Sequence, residues 1–219
     1  MTTFPGSPKL IKGGIVLVDP TTGTALPNGI IALQYNPDTI SRTLQPQAVK
    51  EGGDRSEALR LTGPPVETIK VEAEIDATDQ LEFPKENPDA VEVGIHHQLA
   101  ALEVIVYPTS SQLQSNNSLA QSGTLEIAPM EAPLTLFVWS KQRVMPVRIT
   151  DFSITEEAFD VNLNPIRAKV SLGFRVLSVN DLGFAHKGGS LFMSYLQNKE
   201  QLAKRLKGST FGALGITGI

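Results

Sequence analysis

The chain has 219 residues, of which 41% are hydrophobic and 19% are charged. This balance is typical of a folded protein and excludes the composition of a disordered chain. The length fits one large domain, or one domain with an appended element. Because the sequence contains no cysteine, disulfides, iron–sulfur clusters, thiolate zinc sites and a cysteine nucleophile are excluded.

The net charge is −4, and lysine and arginine do not cluster, so we expect no nucleic-acid partner. The first residues do not show the pattern of a signal peptide, and no apolar run is long enough to cross a bilayer. We therefore expect synthesis in the cytoplasm and no membrane insertion.

The first half of the sequence predicts short strands separated by turn residues. Residues 15–18 and 29–35 are rich in β-branched and aliphatic side chains and flank a Thr/Gly turn, which predicts a hairpin. A further extended run covers residues 39–44. Residues 66–76 alternate apolar and polar side chains, which predicts a strand with one buried face. Its apolar set is Ile69, Val71, Ala73 and Ile75.

The periodicity changes after residue 86. Asn87 and Pro88 are typical of a helix start, and Pro108 ends the pattern, so we predict a single helix in between. Its apolar stripe would be Val91, Ile95, Leu99, Leu102 and Val106. Residues 109–122 are Ser, Gln or Asn at ten of fourteen positions. That stretch is too polar to bury, so we predict a mobile loop outside the domain.

Three more strands are predicted in the second half, at residues 134–139, 144–159 and 166–179. The last of them shows the clearest alternation of apolar and polar side chains.

A C-terminal helix is predicted at residues 190–206, after a glycine-rich hinge, and a glycine-rich, flexible tail is predicted at residues 208–219. The apolar stripe of this helix must be covered by something, so we expect it to dock on a partner. The expected partner-binding residues are Phe192, Tyr195, Leu196 and Leu202. Packing of the helix on its own domain is the alternative at this point.

Two motifs resemble ligand sites but lack a required residue. Residues 183–190 have the glycine spacing of a phosphate-binding loop, but Gly189 stands where that loop needs lysine. Asp160, Asn162 and Asn164 alternate like the start of a calcium loop, but Pro165 stands where glycine is needed.

The remaining polar groups have ordinary structural explanations. His96 and His97 are adjacent on a predicted helix and point in different directions, which disfavours a shared metal. Glu156 and Glu157 lie at the polar end of a predicted strand, where solubility explains them. We therefore expect no enzyme activity, no catalytic residue, no cofactor and no metal site.

The sequence also contains four blocks that together cover most of residues 8–180. They are LIKGGIVLVDP at 10–20, IALQYNPDTISRTL at 31–44, GPPVETIKVEAEID at 63–76, and RVMPVRITDFSITEE at 143–157 running into LNPIRAKV at 163–170. In combination these blocks resemble the tube and baseplate proteins of contractile injection systems, which are phage-tail-like particles. Within that family the chain is most similar to the baseplate-proximal adaptor, or tube initiator.

This resemblance implies an α+β, β-rich fold of packed antiparallel β-sheets with one internal helix and a C-terminal helix. The tube-like domain would cover residues 8–182, and the docking helix residues 189–207. The resemblance also implies a hexameric ring that joins the spike hub to the inner tube. The implied partners are the tube protein, the spike or hub protein, and other baseplate and sheath proteins.

Such adaptors often continue into a LysM-type module, which we expect to be missing because the sequence stops at Ile219. The particle would assemble in the cytoplasm, with release from the cell as one outcome. Two other functions remain open at this point: the repeated inner-tube subunit of the same particle, and a β-sandwich that binds carbohydrate or cell wall. The sandwich would need exposed aromatic side chains, yet these residues make up 6% of the chain and Trp139 lies in a predicted strand. A hydrolase acting through Glu156 is the weakest alternative.

Overall fold

The structure is a computed structural model that describes residues 10–48, 60–123, 132–206, 208 and 210–218. Within these ranges the chain forms seven strands and six α-helices. The strands are β1 (Gly14–Val18), β2 (Ala25–Ala32), β3 (Ile40–Ala48), β4 (Leu61–Asp76), β5 (Leu134–Ser140), β6 (Arg143–Phe159) and β7 (Pro165–Val176). The helices are α1 (Thr78–Leu81), α2 (Pro88–Val93), α3 (His96–Glu103), α4 (Ser110–Gln121), α5 (Val179–Leu182) and α6 (Lys187–Ala203).

All seven strands belong to one antiparallel sheet in the order β2-β1-β5-β6-β7-β4-β3. The α+β, β-rich class is therefore confirmed, and so is the hairpin of β1 and β2. In place of the packed sheets that the resemblance implied, the described residues form a single sheet that curls. Gln34, just after β2, reaches Asp76 at the end of β4, although four strands separate β2 from β4 in the sheet.

The main core lies on the inner face of this curled sheet. The predicted alternation of β4 is confirmed, because its four apolar side chains are at most 6% exposed. β7 contributes alternating inner-face residues in the same way, and Phe174 near its C-terminal end stacks on Phe137 of β5 with ring centroids 5.0 Å apart. Burial of one such large side chain stabilises the fold by about 1.5–3 kcal/mol.

A β-bulge keeps the long strand β6 in phase with this core. Ile149 lies opposite Phe174, and Phe152 lies opposite Leu172, so three steps along β6 match two steps along β7. The extra residue sits in the irregular pairing between Ile149 and Asp151. Because paired residues share a face, the bulge leaves both Ile149 and Phe152 on the inner face.

The single helix predicted after Asn87 is wrong, because Gly94 divides it into α2 and α3. Gly94 has a φ of +58°, and a Cβ at this position would overlap the carbonyl oxygen of Pro165. The same oxygen accepts a hydrogen bond from the backbone N–H of Ile95 at 2.9 Å. The middle of the predicted stripe is confirmed, since Ile95, Leu99 and Leu102 are buried, but its two ends are wrong, since Val91 and Val106 are each 46% exposed.

The loop predicted at residues 109–122 is wrong in form, because most of it is helix α4. Thr109 and Gln112 form a capping box: each side chain accepts a hydrogen bond from the backbone N–H of the other. None of the residues of α4 is buried, as the polar composition predicted. Composition thus identified the exposure of this segment, whereas a local cap determines its shape.

The C-terminal helix α6 begins three residues before its predicted start. The Nδ1 atom of His186 accepts a hydrogen bond from the backbone N–H of Gly188 at 3.0 Å and so caps the helix. In the tail, residues Phe211–Leu214 form a short 3-10 helix. No helix among the described residues is both long and apolar enough to cross a membrane.

Candidate assembly surfaces

The apolar stripe of α6 packs largely on the chain's own core. Phe192 is 6% exposed and Tyr195 is 3% exposed, and both belong to the main core cluster. Leu196 is partly buried against that cluster, while Leu202 is 42% exposed. For Phe192 and Tyr195 the structure therefore matches the alternative that the helix folds back on its own domain. Leu202 is the one of the four predicted residues that lies at the surface.

A buried carboxylate holds α6 against the sheet. Glu67 of β4 is 3% exposed, and its Oε1 accepts hydrogen bonds from Arg42 Nε and Tyr195 Oη, each at 2.9 Å. Its Oε2 accepts from Lys199 Nζ at 2.8 Å, and that ammonium also lies 4.1 Å from the centre of the Tyr195 ring. A buried charge of this kind is stabilised only where its acceptors are satisfied, as they are here.

The electrostatics of this cluster favour the ionised glutamate. Burial raises the pKa of Glu67, but the hydrogen bonds and charges of Lys199, Tyr195 and Arg42 outweigh it and leave the pKa lowered. Burial and the Glu67 carboxylate both raise the pKa of Tyr195, which therefore stays a hydrogen-bond donor. The sequence held one signal for this site: Glu67 continues the odd-numbered, inward-facing set of β4.

A structured turn, residues 159–164, joins the C-terminal end of β6 to the N-terminal end of β7. Asp160 Oδ1 accepts hydrogen bonds from the backbone N–H groups of Asn162 at 2.7 Å and Asn164 at 2.8 Å. The Asn164 amide donates to Asp160 Oδ2 at 2.9 Å and to the carbonyl oxygen of Glu92 at 3.1 Å. The turn is thus fixed both internally and to the end of α2.

This turn presents apolar side chains to solvent. Val161 is 97% exposed, Leu163 is 78% exposed and Phe159 is 49% exposed. Leu163 has a φ of +65° and Ala158 a φ of +55°, conformations that are unfavourable for residues other than glycine. We call Phe159, Val161 and Leu163 the apolar tip. Sequence patterns did not identify it, because exposure here depends on the turn that Asp160 holds.

Open strand edges are a second feature suited to assembly. Among the described strands, β2 and β3 lie at the two ends of the sheet, so each pairs with a described strand on one side only. β5 pairs with β6 only as far as Val147. Beyond Val147, β6 still pairs with β7, but among the described strands none pairs with its other edge. Unpaired backbone groups on such edges are a template for strands of another chain.

A cavity of about 510 Å³ lies at the opposite end of β7 from the apolar tip. It is bounded by aliphatic side chains that include Val106, Leu134 and Leu177. Among the described residues that line it, Arg148 is the only Lys, Arg, Asp or Glu, and it is exposed. We call this feature the end cavity.

Two of the polar motifs considered in the sequence, at Asp160 and Glu157, have structural roles. Asp160 uses its carboxylate to hold its own turn, and within the described ranges no three His, Asp or Glu side chains are grouped as a metal site would require. His96 and His97 are both exposed at the start of α3. Glu157 forms ion pairs with Arg167 at 3.1 Å and Lys169 at 3.3 Å, while Glu156 is exposed.

The glycine-rich stretch at residues 183–189, which includes the first residues of α6, is a close-packed link. A Cβ at Gly189 would overlap the carbonyl oxygen of Gly183, and one at Gly188 would overlap Leu182. The stretch follows the short helix α5 rather than a strand. Tight packing of α5 on α6 thus explains these glycines.

Comparison with protein-family models gives no match for this chain, and comparison with curated proteins gives none either. Among solved structures, the chain is similar to a chain of the virion of a native gene transfer agent particle. The two are 12% identical with a TM-score of 0.27, and the match covers 76% of this chain and 91% of that one. A TM-score this low does not support an inference about function, so we base the proposed function on the residues described above.

Proposed function

We propose that the chain is a structural subunit of a phage-tail-like contractile injection particle, in which it forms the hexameric tube-initiator ring between the spike hub and the inner tube. The observation that carries this proposal is the resemblance of the four sequence blocks to that family. Those blocks correspond to β1, to the end of β2 with β3, to β4, and to β6 with β7. Together they include residues from six of the seven strands of the sheet.

The surface of the chain supports an assembly role. Val161 and Leu163 of the apolar tip are 97% and 78% exposed, and neighbouring exposed apolar side chains are typical of surfaces that bind other proteins. The open edges of β2 and β3 offer backbone groups to neighbouring chains. In this proposal the neighbours are further copies, the tube protein, the hub, and other baseplate and sheath proteins. The role is non-enzymatic, because assembly needs no catalytic group.

Copy number in isolated particles tests the proposal. An initiator ring contributes a fixed six copies per particle whatever the tube length, whereas a repeated tube subunit increases with tube length. We expect quantitative mass spectrometry of particles sorted by tube length to give a constant amount of this chain per hub. Electron cryo-microscopy should place the ring at the base of the tube.

Deletion of the chain gives an independent readout. Without an initiator, hub complexes should accumulate while tubes fail to form. Copy number that scales with tube length would replace the initiator role with the repeated-subunit role. Absence of the chain from particles, or a monomer that binds cell-wall glycans, would refute the particle proposal altogether.

A further inference from the structure

The apolar tip and the end cavity lie too far apart to meet within one chain. The tip follows β6 and precedes Pro165, whereas the cavity is lined by Leu177, just after the end of β7. The ends of β7, Pro165 and Val176, are eleven residue steps apart, so at about 3.3 Å per step roughly 36 Å of strand lies between the two ends. Any contact between them must therefore join two copies.

The two features are complementary in their chemistry. The tip offers Val161 and Leu163, and the end cavity offers about 510 Å³ with mainly aliphatic walls, a volume in the range of cavities that enclose small ligands. The charges also match: Asp160 is the only charged residue of the turn, and Arg148 is the only Lys, Arg, Asp or Glu among the described residues that line the cavity. Hydrogen bonds from Asn164 lower the pKa of Asp160, so this carboxylate is ionised at neutral pH.

We propose that the apolar tip of one copy inserts into the end cavity of a second copy, with Asp160 facing Arg148 of the neighbour. This is a heterologous contact, since it joins two different surfaces of the same chain, and such contacts close into rings when the rotation between copies allows it. The inference rests on the proposed ring and identifies the lateral interface that builds it. In this contact, the structured turn of one copy supplies the inserted side chains, and the end cavity of the neighbouring copy surrounds them.

Disulfide trapping tests this interface, and the chain has no native cysteine to interfere. We would mix two single variants, Val161→Cys and Arg148→Cys, and oxidise them mildly, both as purified protein and in particles. The expected product is a disulfide-linked heterodimer in at least five-fold excess over that formed by the matched control pair, Val161→Cys with Glu72→Cys. Glu72 is an exposed residue on β4 outside the cavity. In one chain carrying both Val161→Cys and Arg148→Cys, the linked products should extend to a covalent ring.

A second variant separates interface from folding. Val161→Asp with Leu163→Asp should leave the melting temperature within a few degrees of the original, because both side chains are exposed, while abolishing the oligomers seen by sedimentation. Cross-links no stronger than those of the control pair in both preparations, or unchanged oligomers in the double variant, would overturn the inference. If particles still show this chain as a ring without the cross-link, the proposed function stands and this interface is wrong. Insertion of the tip into a tube or hub protein would appear as a Val161→Cys cross-link to that protein and would likewise refute a contact between copies.

Discussion

The side-chain amide of Gln34 binds both backbone polar groups of Asp76. Its Oε1 accepts a hydrogen bond from the Asp76 N–H at 2.9 Å, and its Nε2 donates to the Asp76 carbonyl oxygen at 2.6 Å. β3 pairs with β4 only up to Val71, so within the described strands the last residues of β4 have no strand neighbour on that side. Gln34 thus takes the place that a peptide group of a neighbouring strand would occupy, and it joins the two ends of the curled sheet.

Substitution of Gln34 by alanine should therefore loosen the curl. The loss of two hydrogen bonds to backbone groups predicts a decrease in the free energy of unfolding of about 1–3 kcal/mol. Urea denaturation measures this change. Gln45→Ala, at an exposed position on β3, is the matched control and should change stability by less than about 0.5 kcal/mol. Equal effects of the two substitutions would show that the Gln34 amide does not stabilise the fold.

Replacement of Glu67 by glutamine tests the buried cluster. Glutamine keeps the shape but removes the charge that satisfies Arg42, Tyr195 and Lys199, so we expect a loss of roughly 2–3 kcal/mol at pH 7. Glu72→Gln, exposed on the same strand, is the control and should be nearly neutral.

The pH dependence of the Glu67 contribution follows from its lowered pKa. A carboxylate with a lower pKa in the folded state stabilises the protein above its unfolded pKa, about 4.3, and loses this contribution as the pH falls through its folded value. The difference in unfolding free energy between the original protein and Glu67→Gln should be constant from pH 6 to 8 and shrink below about pH 4.3. A difference that grows on acidification would contradict the assigned role.

Introduction of a side chain at Gly94 should be much more harmful than at Gly123. Both glycines have positive φ, but a Cβ at Gly94 would overlap the Pro165 carbonyl, whereas a Cβ at Gly123 would have no atom of the other described residues within 4 Å. We expect Gly123→Ala to cost about 1–2 kcal/mol for its backbone conformation, and Gly94→Ala to cost roughly 2–5 kcal/mol. Thermal denaturation of the two variants compares them directly, and similar losses would show that the link between α2 and α3 adapts to the extra atom.

Helix α4 should be dispensable for folding. Because none of its residues is buried, replacement of residues 109–122 by a short Gly/Ser linker should change loop-closure free energy by less than about 1 kcal/mol. The melting temperature should therefore stay nearly constant. Leu99→Ala in the adjacent helix α3 is the positive control, since that side chain is 1% exposed and its truncation should cost about 2–5 kcal/mol. A large loss on replacing α4 would reveal packing that its exposure does not suggest.

Removal of the C-terminal helix should unfold the domain. Truncation before Lys187 deletes Phe192 and Tyr195, and loss of a buried aromatic side chain costs about 3–5 kcal/mol even when a smaller residue replaces it. Truncation after Leu206 is the control and should leave a folded protein, because the described residues 210–218 are exposed. Circular dichroism distinguishes the two products. A folded protein lacking α6 would restore the view that this helix is a separate docking element.

Local periodicity predicted the strands well but not the contacts between distant parts of the chain. The alternation of Ile69, Val71 and Ala73 gave the buried face of β4 because a strand's period of two is visible in any short window. The break at Gly94 was not predictable in this way, since it depends on the Pro165 carbonyl, 71 residues later. The Glu67 cluster depends on α6 in the same manner.

The assembly surfaces were less accessible to sequence reasoning than the sheet. In the sequence, Asp160 and its asparagine neighbours resembled a calcium loop that lacks a required glycine. In the structure, their oxygens and amides form hydrogen bonds with one another, and the turn so formed exposes Val161 and Leu163. For α4 a usable signal was present: Thr109 and Gln112 have the spacing of a capping box. The polar composition of that segment led instead to the prediction of a loop. For α6, the sequence predicted the apolar stripe, but only the folded structure shows which surface covers that stripe.

The β-bulge near Thr150 makes the hairpin formed by β6 and β7 sensitive to changes in chain length. One residue inserted or deleted in β6 directly after the bulge, before Phe152, would move every later side chain of that strand to the opposite face of the sheet. Phe152 and Ile154 would then face solvent, and Ser153 and Thr155 would face the core. A change of two residues would preserve the faces but shift the register against β7. Natural variation in length along this hairpin is therefore expected in the turn beyond Phe159, or as a second compensating bulge, rather than within the paired stretch.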